Sequence, residues 1–588
     1  MLAIGVAGHR SLEVGSPAAA RLARDSSRLF ADLLMECTRI VAAAPDLFAG
    51  APPRLRVVTR LMDGSDLVIC SAAREAGAEI RAVLPYRPSA GAAGFRGSTA
   101  GGLFDTLLAA AEDPFDLGGE PGSQASGERA GHSLLDRSDI LVAFWDGQPD
   151  GDRAGIAALV QDAVERRMPV LLLPLDEGGQ VAVIDDPDEL LLSAVAVDLP
   201  RVAFANNRDR VLARAFAPPA SAYERRALKD SIGERRGRTS RRYEYRFLLK
   251  LAERVRSREP APSNDEEWSR AGAVAGLVSA KASAAVARIE TLQARMDDLA
   301  GFYRQRARSG IVLRYGLSAL GSLLVAVFTL LTPQFGLAWL AVQAVITAVT
   351  IGEETYASRR RWNERWLDYR SLAERLRCDR FLMPIGIATV QLDAQTSAEH
   401  PAWMRWCHGR LQRATWMGGK ITPSVVEAAM AHLVAIEIAS QIRYHEAATL
   451  RFRSLGRRLR ALGFGAIACT LGASLLLIAS NGGGHAQPLA LQSLLMVALI
   501  TLPSVFLASR GLRAESRFDL AAARSQQSLA ALMELGRRIA TGPASFDRLI
   551  QASRAAAAAM ILDTVDWRIG VQLSRSPYRP NSTDASGR

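Results

Sequence analysis

Two pairs of long uncharged segments constrain this chain more than any other feature. Residues 315–331 and 335–351 form the first pair, and residues 461–480 and 488–508 form the second. A helix rises about 1.5 Å per residue, so crossing roughly 30 Å of hydrocarbon takes about 20 residues. The second pair reaches this length, and the first pair is slightly shorter. Because the segments lack the polar stripe of a helix in a soluble bundle, we predict four transmembrane helices in two hairpins.

Arginines flank both hairpins, whereas neither connecting loop contains Lys or Arg. The flanking residues are Arg304, Arg306, Arg308, Arg359, Arg360, Arg361, Arg451, Arg453, Arg457, Arg458, Arg460, Arg510, Arg513 and Arg517. The positive-inside rule places such ends in the cytoplasm. We therefore expect a multi-pass protein of the cytoplasmic (inner) membrane with both termini in the cytoplasm. The hairpins contain no ionisable Asp, Glu, Lys or Arg, which disfavours an ion-coupled transporter.

The two hairpins lie in similar surroundings. Each follows an Arg-rich helical segment and precedes another charged helix, which indicates two copies of a helix–span–span–helix unit at 285–380 and 436–545. The alternative is that any two basic helical hairpins look alike. Between the units, the aromatic and basic stretch at 401–416 belongs either to the lipid headgroup layer or to the core.

Composition narrows the class of protein further. The 588 residues are 49% hydrophobic and 22% charged, which excludes a disordered or fibrous chain. The net charge of +12 suits an anionic partner, either a nucleotide, a nucleic acid or the cytoplasmic membrane surface. Because the arginines cluster beside the spans, we expect the lipid bilayer as a partner and no nucleic acid. Five cysteines without a CxxC pair favour a reducing compartment.

Neither a metal site nor a secretory signal is expected. His400, Cys407 and His408 lie close in sequence but lack the ligand spacing of a zinc site, so we predict no metal and no other cofactor. Residues 1–30 lack the basic start, apolar run and cleavage site of a signal peptide.

The N-terminal residues alternate short apolar runs with helical patterns. This alternation predicts an α/β domain with a doubly wound parallel sheet, whose ligands lie outside the carboxyl ends of the strands. The predicted strands cover 2–6, 55–59, 80–84, 140–144 and 170–173, and two of the predicted helices cover 18–44 and 157–166.

Three predicted strand ends carry candidate ligand-binding residues. The first strand end carries Gly8, His9 and Arg10, and the second carries Gly64, Ser65 and Asp66. In the first, small residues and free backbone amides beside an arginine would hold a phosphate. The alternative is a tight turn with a surface arginine. In the second, the polar side chains would contact a ribose or a base, or would cap the following helix.

The third strand end combines aromatic, acidic and small residues. Trp145, Asp146 and Gly147 end the strand, and Arg153 and Gly155 precede the next helix. Free amides at that helix N-terminus would form an anion site, and the alternative is an ordinary strand-to-helix loop. Trp145 would either stack on a base or fill the core.

These segments together resemble the SLOG superfamily of Rossmann-like nucleotide-sensing domains. The similar segments are AGHR at 7–10, RLMDGSDLVICSAAREAGAEIRAVLPY at 60–86 and DILVAFWDGQPDGDRAGIAALVQDAVERRMPV at 139–170. One departure is Ala154-Gly155-Ile156, where relatives have Gly-Gly-Thr. The Thr and Glu of the PGGxGTxxE signature of catalytic phosphoribohydrolases are also absent. The resemblance therefore implies binding of a nucleotide-derived ligand rather than hydrolysis, with no catalytic residues.

The membrane half resembles the SLATT group of two-span effector domains. The segments WNERWLDYRSLAERLR at 362–377 and IASQIRYHEA at 438–447 are similar to that group's helices after and before the spans. The two resemblances together imply a sensor–effector in bacterial defence, with a nucleotide-derived signal as ligand and pore formation by a homo-oligomer. The alternatives are a membrane-anchored nucleotide or N-glycosidic-bond hydrolase, and a transport or scaffold protein.

The expected organisation has six parts. They are a SLOG-like sensor domain at 1–218, a basic linker and helical connector at 219–284, the two units at 285–380 and 436–545 with a cytoplasmic connector at 381–435, and a C-terminal helix with a disordered tail at 546–588.

Overall fold

The chain divides into an α/β region and a helical region. The computed structural model describes residues 1–48, 50–90, 99–149, 152–184, 199–234, 242–252, 264–331, 336–388, 401–482 and 489–573. In this part of the chain, a sheet with alternating helices is followed by helices of which four are long and apolar enough to cross a membrane. The predicted fold class is therefore confirmed. The first connecting loop at 332–334, residues 483–487 of the second loop predicted at 481–487, His400 and the tail after 573 lie outside the described residues, whereas Asn481 and Gly482 belong to the preceding helix.

A nine-stranded sheet forms the α/β region of the described chain. Its strands are β1 Leu2–Gly8, β2 Leu55–Thr59, β3 Glu79–Tyr86, β4 Phe115–Gly119, β5 Ile140–Phe144, β6 Val170–Leu172, β7 Ala182–Ile184, β8 Val202–Ala203 and β9 Gly419–Lys420. The spatial order is β8-β7-β6-β5-β1-β2-β3-β4-β9, and the strands from β6 to β9 in this order are parallel. Because β1 lies between β2 and β5, the winding direction changes beside β1.

Helices cover both faces of this sheet. They are α1 Pro17–Ala43, α2 Ser65–Glu75, α3 Thr99–Ala110, α4 Gln124–Asp136, α5 Ile156–Glu165 and α6 Phe204–Ala215. Leu2, Ile4 and Val6 of β1 pack into one hydrophobic cluster with α1, α2 and α6. Ala7 belongs to a second cluster with α4 and α5, and this cluster continues into the helical region. The sheet and the helices therefore share one core.

The sheet has features at both edges that the prediction of a doubly wound parallel sheet did not include. At one edge, β7 pairs antiparallel with both β6 and β8. These strands have only three and two residues, so they carry too little alternation to be recognised in the sequence. The opposite edge strand, β9, comes from the segment that was predicted to be a separate connector. This segment therefore extends the sheet.

The helical region contains twelve further helices among the described residues. They are α7 Ala222–Gly233, α8 Glu244–Ala252, α9 Asn264–Val278, α10 Ala280–Leu331, α11 Gly336–Arg359, α12 Trp362–Leu382, α13 Ala402–Ala414, α14 Pro423–His432, α15 Ala439–Gly482, α16 Leu489–Ser516, α17 Phe518–Ala540 and α18 Phe546–Leu573. A π-helical turn at Leu433–Ile438 joins α14 to α15.

The predicted repeat of two units recurs as an arrangement of helices. A long helix, a span and a third helix follow one another as α10, α11 and α12, and again as α15, α16 and α17. In both units an arginine in the left-handed conformation directly precedes the third helix, Arg361 with φ 54° and Arg517 with φ 53°. A buried aromatic residue follows in each case, Trp362 and Phe518. The two units therefore turn in the same way below their spans.

The surfaces of the four apolar helices fit a multi-pass membrane protein. No residue of α11 is buried within the chain, and Leu337 and Leu340 are 86% and 67% exposed. On α15, Leu471 and Leu476 are each 62% exposed. Soluble proteins rarely expose so large a contiguous apolar patch. A helix that is apolar on all sides is stable when it is surrounded by the hydrocarbon of a membrane.

The aromatic and basic stretch on α13 belongs to the core. Trp403, Met404 and His408 are at most 2% exposed, and the Trp406 indole N–H donates to the Phe216 carbonyl at 2.9 Å. Of the two alternatives, the headgroup layer is therefore excluded for these side chains.

A buried carboxylate joins α13 to the sheet. Asp139, directly before β5, accepts the Ala3 N–H at 2.9 Å with one oxygen. Its other oxygen accepts Arg413 Nε at 3.0 Å and Arg410 Nη2 at 2.5 Å. Because Arg413 also donates to the carbonyls of Asp136 and Ser138, this joint satisfies the backbone at the amino end of β5.

Asp139→Asn should destabilise the full-length protein by about 3 kcal/mol, because it leaves the buried Arg413 and the largely covered Arg410 without their counter-charge. Thermal unfolding in detergent measures the change. Asp209→Asn is the control: the Asp209 side chain is 81% exposed beside Arg39, so its loss should cost less than about 0.5 kcal/mol. Equal melting temperatures for the two variants would show that Asp139 does not stabilise the contact between α13 and the sheet.

Candidate functional site

The end of β1 and the start of α2 approach each other more closely than side chains normally allow. A Cβ atom on Gly8 would lie 2.0 Å from Ser65 Oγ, and one on Gly64 would lie 2.5 Å from the His9 carbonyl oxygen. Gly64 also has φ +83°, which favours glycine. Both the N–H and the hydroxyl of Ser65 donate to that carbonyl, at 3.1 and 2.9 Å. The two glycines therefore bring the first two predicted segments together.

Ser65 and Asp66 do not cap α2. The N-cap residue is Gly64, and no side chain accepts a hydrogen bond from the first turn. Ser65 is fully buried and fixes the loop after β1 instead. The capping alternative is therefore wrong for these two residues.

His9 connects the ends of β1 and β5, where the winding direction of the sheet reverses. It follows β1, and its Nε2 lies 3.3 Å from Asp146 Oδ1 and 3.2 Å from the Asp146 amide nitrogen, directly after β5. Asp146 also accepts the Gln148 N–H at 2.9 Å and remains 45% exposed at its side chain. In open α/β sheets, ligands bind in the crevice at this switch point. The first and third predicted segments therefore meet where a ligand is expected.

A buried pair of opposite charges lies beneath this loop. Asp66 is completely buried, and neither carboxylate oxygen has a hydrogen-bond partner in the described chain. Burial raises the pKa of Asp66 to about 7, although the nearby Arg60 guanidinium opposes the shift. Arg60 is itself buried and donates to the Ala154 carbonyl at 2.9 Å. This donation connects the end of β2 to the loop before α5.

Trp145 fills the core instead of lining an open crevice. Its side chain is 1% exposed, and its indole N–H donates to the Gln148 carbonyl at 2.9 Å. Gly147 has φ +89°, and a Cβ there would lie 2.0 Å from Arg201 Nη2. The Arg201 guanidinium stands 5.6 Å from the Trp145 ring centroid. These contacts set the shape of the loop after β5 from the side opposite β1.

The N-terminus of α5 is partly occupied by its own loop. Gly155 is the N-cap, and its N–H donates to the Asp152 carbonyl at 2.9 Å. The Asp152 carboxylate accepts the Ala154 N–H, also at 2.9 Å. Arg153 extends into solvent between them. Anion binding here would therefore use the first-turn amides of α5 and the Arg153 side chain.

The structure thus separates the predicted residues by role. Gly8, Gly64, Ser65, Trp145 and Gly147 shape the backbone. Arg10 and Arg153 are exposed, and His9 and Asp146 face each other. Two helix N-termini, α2 and α5, begin at the same edge of the sheet, where their dipoles favour negative charge. Chemically, the arrangement can bind an anionic ligand and pair a histidine with a carboxylate.

Sequence reasoning missed three residues at this edge. Arg60, Asp152 and Arg201 all act through contacts between segments distant in sequence. For Arg60 a signal exists, because a charged residue directly after an apolar strand stands at the carboxyl edge of a parallel sheet. Asp152, two residues before the N-cap, lies where a short acidic side chain can accept loop amides. Arg201 has no comparable local signal.

Comparison with protein-family models finds no match, and comparison with curated proteins finds none either. Among the described residues, no group of three or more His, Cys, Asp or Glu is placed to hold a metal ion.

Gly8→Ala should lower the melting temperature of the full-length protein and displace the loop after β1, because the added methyl group collides with Ser65 Oγ. Thermal unfolding in detergent gives the measurement. Gly102→Ala is the matched control, since a Cβ there meets no atom within 4 Å and the residue lies within a helix. We expect Gly102→Ala to leave the melting temperature unchanged or slightly higher. If Gly8→Ala behaved like this control, the close approach would be refuted.

Asp66→Asn should flatten the pH dependence of stability. Because the folded-state pKa of about 7 exceeds the ordinary value of 3.8, the folded chain retains a proton that the unfolded chain has released between these pH values. Stability therefore falls as pH rises through this window, by up to about 1.4 kcal/mol per pH unit, and levels off above it. Melting temperatures from about pH 5 to 8 test this. A variant with the wild-type slope would show that Asp66 is not the responsible group.

Proposed function

We propose that the protein is a membrane-anchored sensor–effector. The α/β region binds a nucleotide-derived signal, and the four spans act on the membrane as a homo-oligomer, by forming a pore in bacterial defence. The observation that carries this proposal is the shared core of the two regions. A sheet that packs directly onto the helices leading to the spans can transmit a change at its ligand site.

The proposed ligand site is the crevice at the carboxyl ends of β1 and β5. Arg10 and Arg153 supply exposed positive charge, and the N-termini of α2 and α5 add their dipoles. Asp146 is available to accept hydrogen bonds from ribose hydroxyl groups. This combination suits phosphate and sugar groups in one molecule, which supports a nucleotide-derived ligand. It does not require Trp145 to stack on a base.

The membrane half of the proposal follows from the charges around the four apolar helices. Because arginines flank both hairpins and the turns lack Lys and Arg, the arginine-flanked ends face the cytoplasm. This topology puts the sheet, both repeat units' outer helices and the two termini in the cytoplasm. The nucleotide signal would then be cytoplasmic.

Arg10→Ala combined with Asp146→Ala should abolish nucleotide binding while the protein stays folded and inserted. Both side chains are exposed, so neither supports the core. The measurement is the thermal shift of full-length protein in detergent with ADP-ribose forms, cyclic oligonucleotides, NAD and nucleoside monophosphates. Saturation at 100 times Kd stabilises the folded state by about 2.7 kcal/mol.

Arg24→Ala combined with Asp209→Ala provides the control, because both residues are exposed on helices away from the crevice. This variant should keep the full shift. A double mutant at the site that still binds the ligand would overturn the proposed site. A ligand that is consumed during incubation would favour the hydrolase alternative over a sensor, and the absence of any shift with folded protein would favour the scaffold alternative.

A further inference from the structure

A short helix, α8, joins the two repeat units at their arginine-flanked ends. Its Tyr245 is buried, and the Tyr245 N–H donates to Ser309 Oγ of α10 at 3.2 Å. Tyr245 also packs in a hydrophobic cluster with Ile311 of α10, Leu455 of α15 and Phe518 of α17. One face of α8 is therefore fixed against both units.

The position of α8 along α10 gives its depth relative to the membrane. Ser309 precedes the first predicted span residue, Tyr315, by six residues, or about 9 Å along the helix. Tyr315 itself packs against the cluster that includes Leu248 and Leu249 of α8. The helix therefore covers the zone from the edge of the hydrocarbon to about 9 Å below it. The headgroup layer of a bilayer is about 5 to 8 Å thick on each side.

The other face of α8 is aromatic and basic. Tyr243, Arg246, Phe247 and Lys250 follow the spacing of one helical face. Tyr243 and Phe247 are 59% and 66% exposed, and the two cations are also exposed, with no ion-pair partner in the described chain. Aromatic rings and basic side chains are the residues that helices place in the interfacial layer of anionic membranes.

We propose that this outer face of α8 binds the headgroups of anionic phospholipids and holds the base of the span bundle at the membrane surface. The charge of the face argues for lipid and against a second copy of the chain. A second copy docked here through the same face would set Arg246 and Lys250 against their own counterparts, and like charges across an interface oppose association. The proposal rests on the proposed membrane insertion and is independent of the sensor's ligand.

Photo-crosslinking of the full-length protein tests the location of the face. p-Benzoylphenylalanine replaces Phe247, and the protein is irradiated in vesicles of phosphatidylcholine and phosphatidylglycerol. We expect a covalent phospholipid adduct, identified by mass spectrometry. The control places the same residue at Met35, which is 57% exposed on α1 of the sheet region, and should give no lipid adduct. A chain-to-chain crosslink at Phe247, or no adduct there, would overturn the proposal.

The charge of the face is tested in the same vesicles. Adducts at Phe247 should be enriched at least twofold in phosphatidylglycerol over the vesicle composition, and Arg246→Gln with Lys250→Gln should abolish this enrichment. Arg24→Gln with Arg74→Gln, two exposed arginines of the sheet region, should leave it intact. Enrichment that is absent, or that survives in the first variant, would contradict recognition of anionic headgroups.

Carbonate extraction separates this proposal from the proposed function. Release of wild-type protein from the vesicles at alkaline pH would show that the spans are not inserted, and both proposals would then fail. Retention without a lipid adduct at Phe247 would overturn the role of α8 alone.

Discussion

The carboxylate of Asp139 ties three separate parts of the chain together at the amino end of the sheet. It accepts hydrogen bonds from β1 through Ala3 and from α13 through Arg410 and Arg413. Burial raises its pKa, but the two guanidinium groups outweigh this, and the pKa of Asp139 lies below its usual value. The ion pairs therefore persist at neutral pH. Because α13 lies between the repeat units in sequence, this joint fixes the sheet to the whole helical region.

A second set of buried charges holds the repeat units to each other. Arg380 of α12 donates to Glu437, in the turn before α15, at 2.6 Å, and to Glu267 of α9 at 3.0 Å. Burial raises the pKa of Glu437, yet Arg380 and His432 lower it further, to about 2. A buried ion pair contributes little net stability compared with apolar residues in its place. Its geometry, however, is satisfied by only one relative placement of the helices that carry the charges. The two units are therefore placed in a defined orientation beneath their spans.

Much of this architecture could be predicted from the sequence, for identifiable reasons. The central strands and the four spans are long apolar runs with clear boundaries, so β1, β2 and β5 begin and end within two residues of their predicted positions. The short strands β7 and β8 are set by pairing in three dimensions. So is β9, which joins β4 from about 300 residues away in the chain. Local patterns do not contain that information.

In the candidate site, too, some features could be predicted from the sequence and others could not. Gly8 and Gly64 could be found because a strand end that needs close backbone approach selects glycine. For Trp145 the sequence left two alternatives open, base stacking or the core, because the environment of its side chain comes from Gln148 and Arg201 after folding. The contact of Arg60 with the Ala154 carbonyl likewise depends on two distant segments meeting under the loop.

Because α10 is continuous, it links the shared core directly to the first span of the proposed effector. This helix runs for 52 residues without a break, about 78 Å, and contains Ala282 and Ala285 in the shared core and Gly321 in the first span. At Gly321 an added Cβ would lie only 2.8 Å from Gln343 of α11, so the two spans touch through a small residue. In the proposed effector, an unbroken helix of this length would carry a rotation at the sheet to the Gly321 face, and the contact with Gln343 would change without any hinge bending.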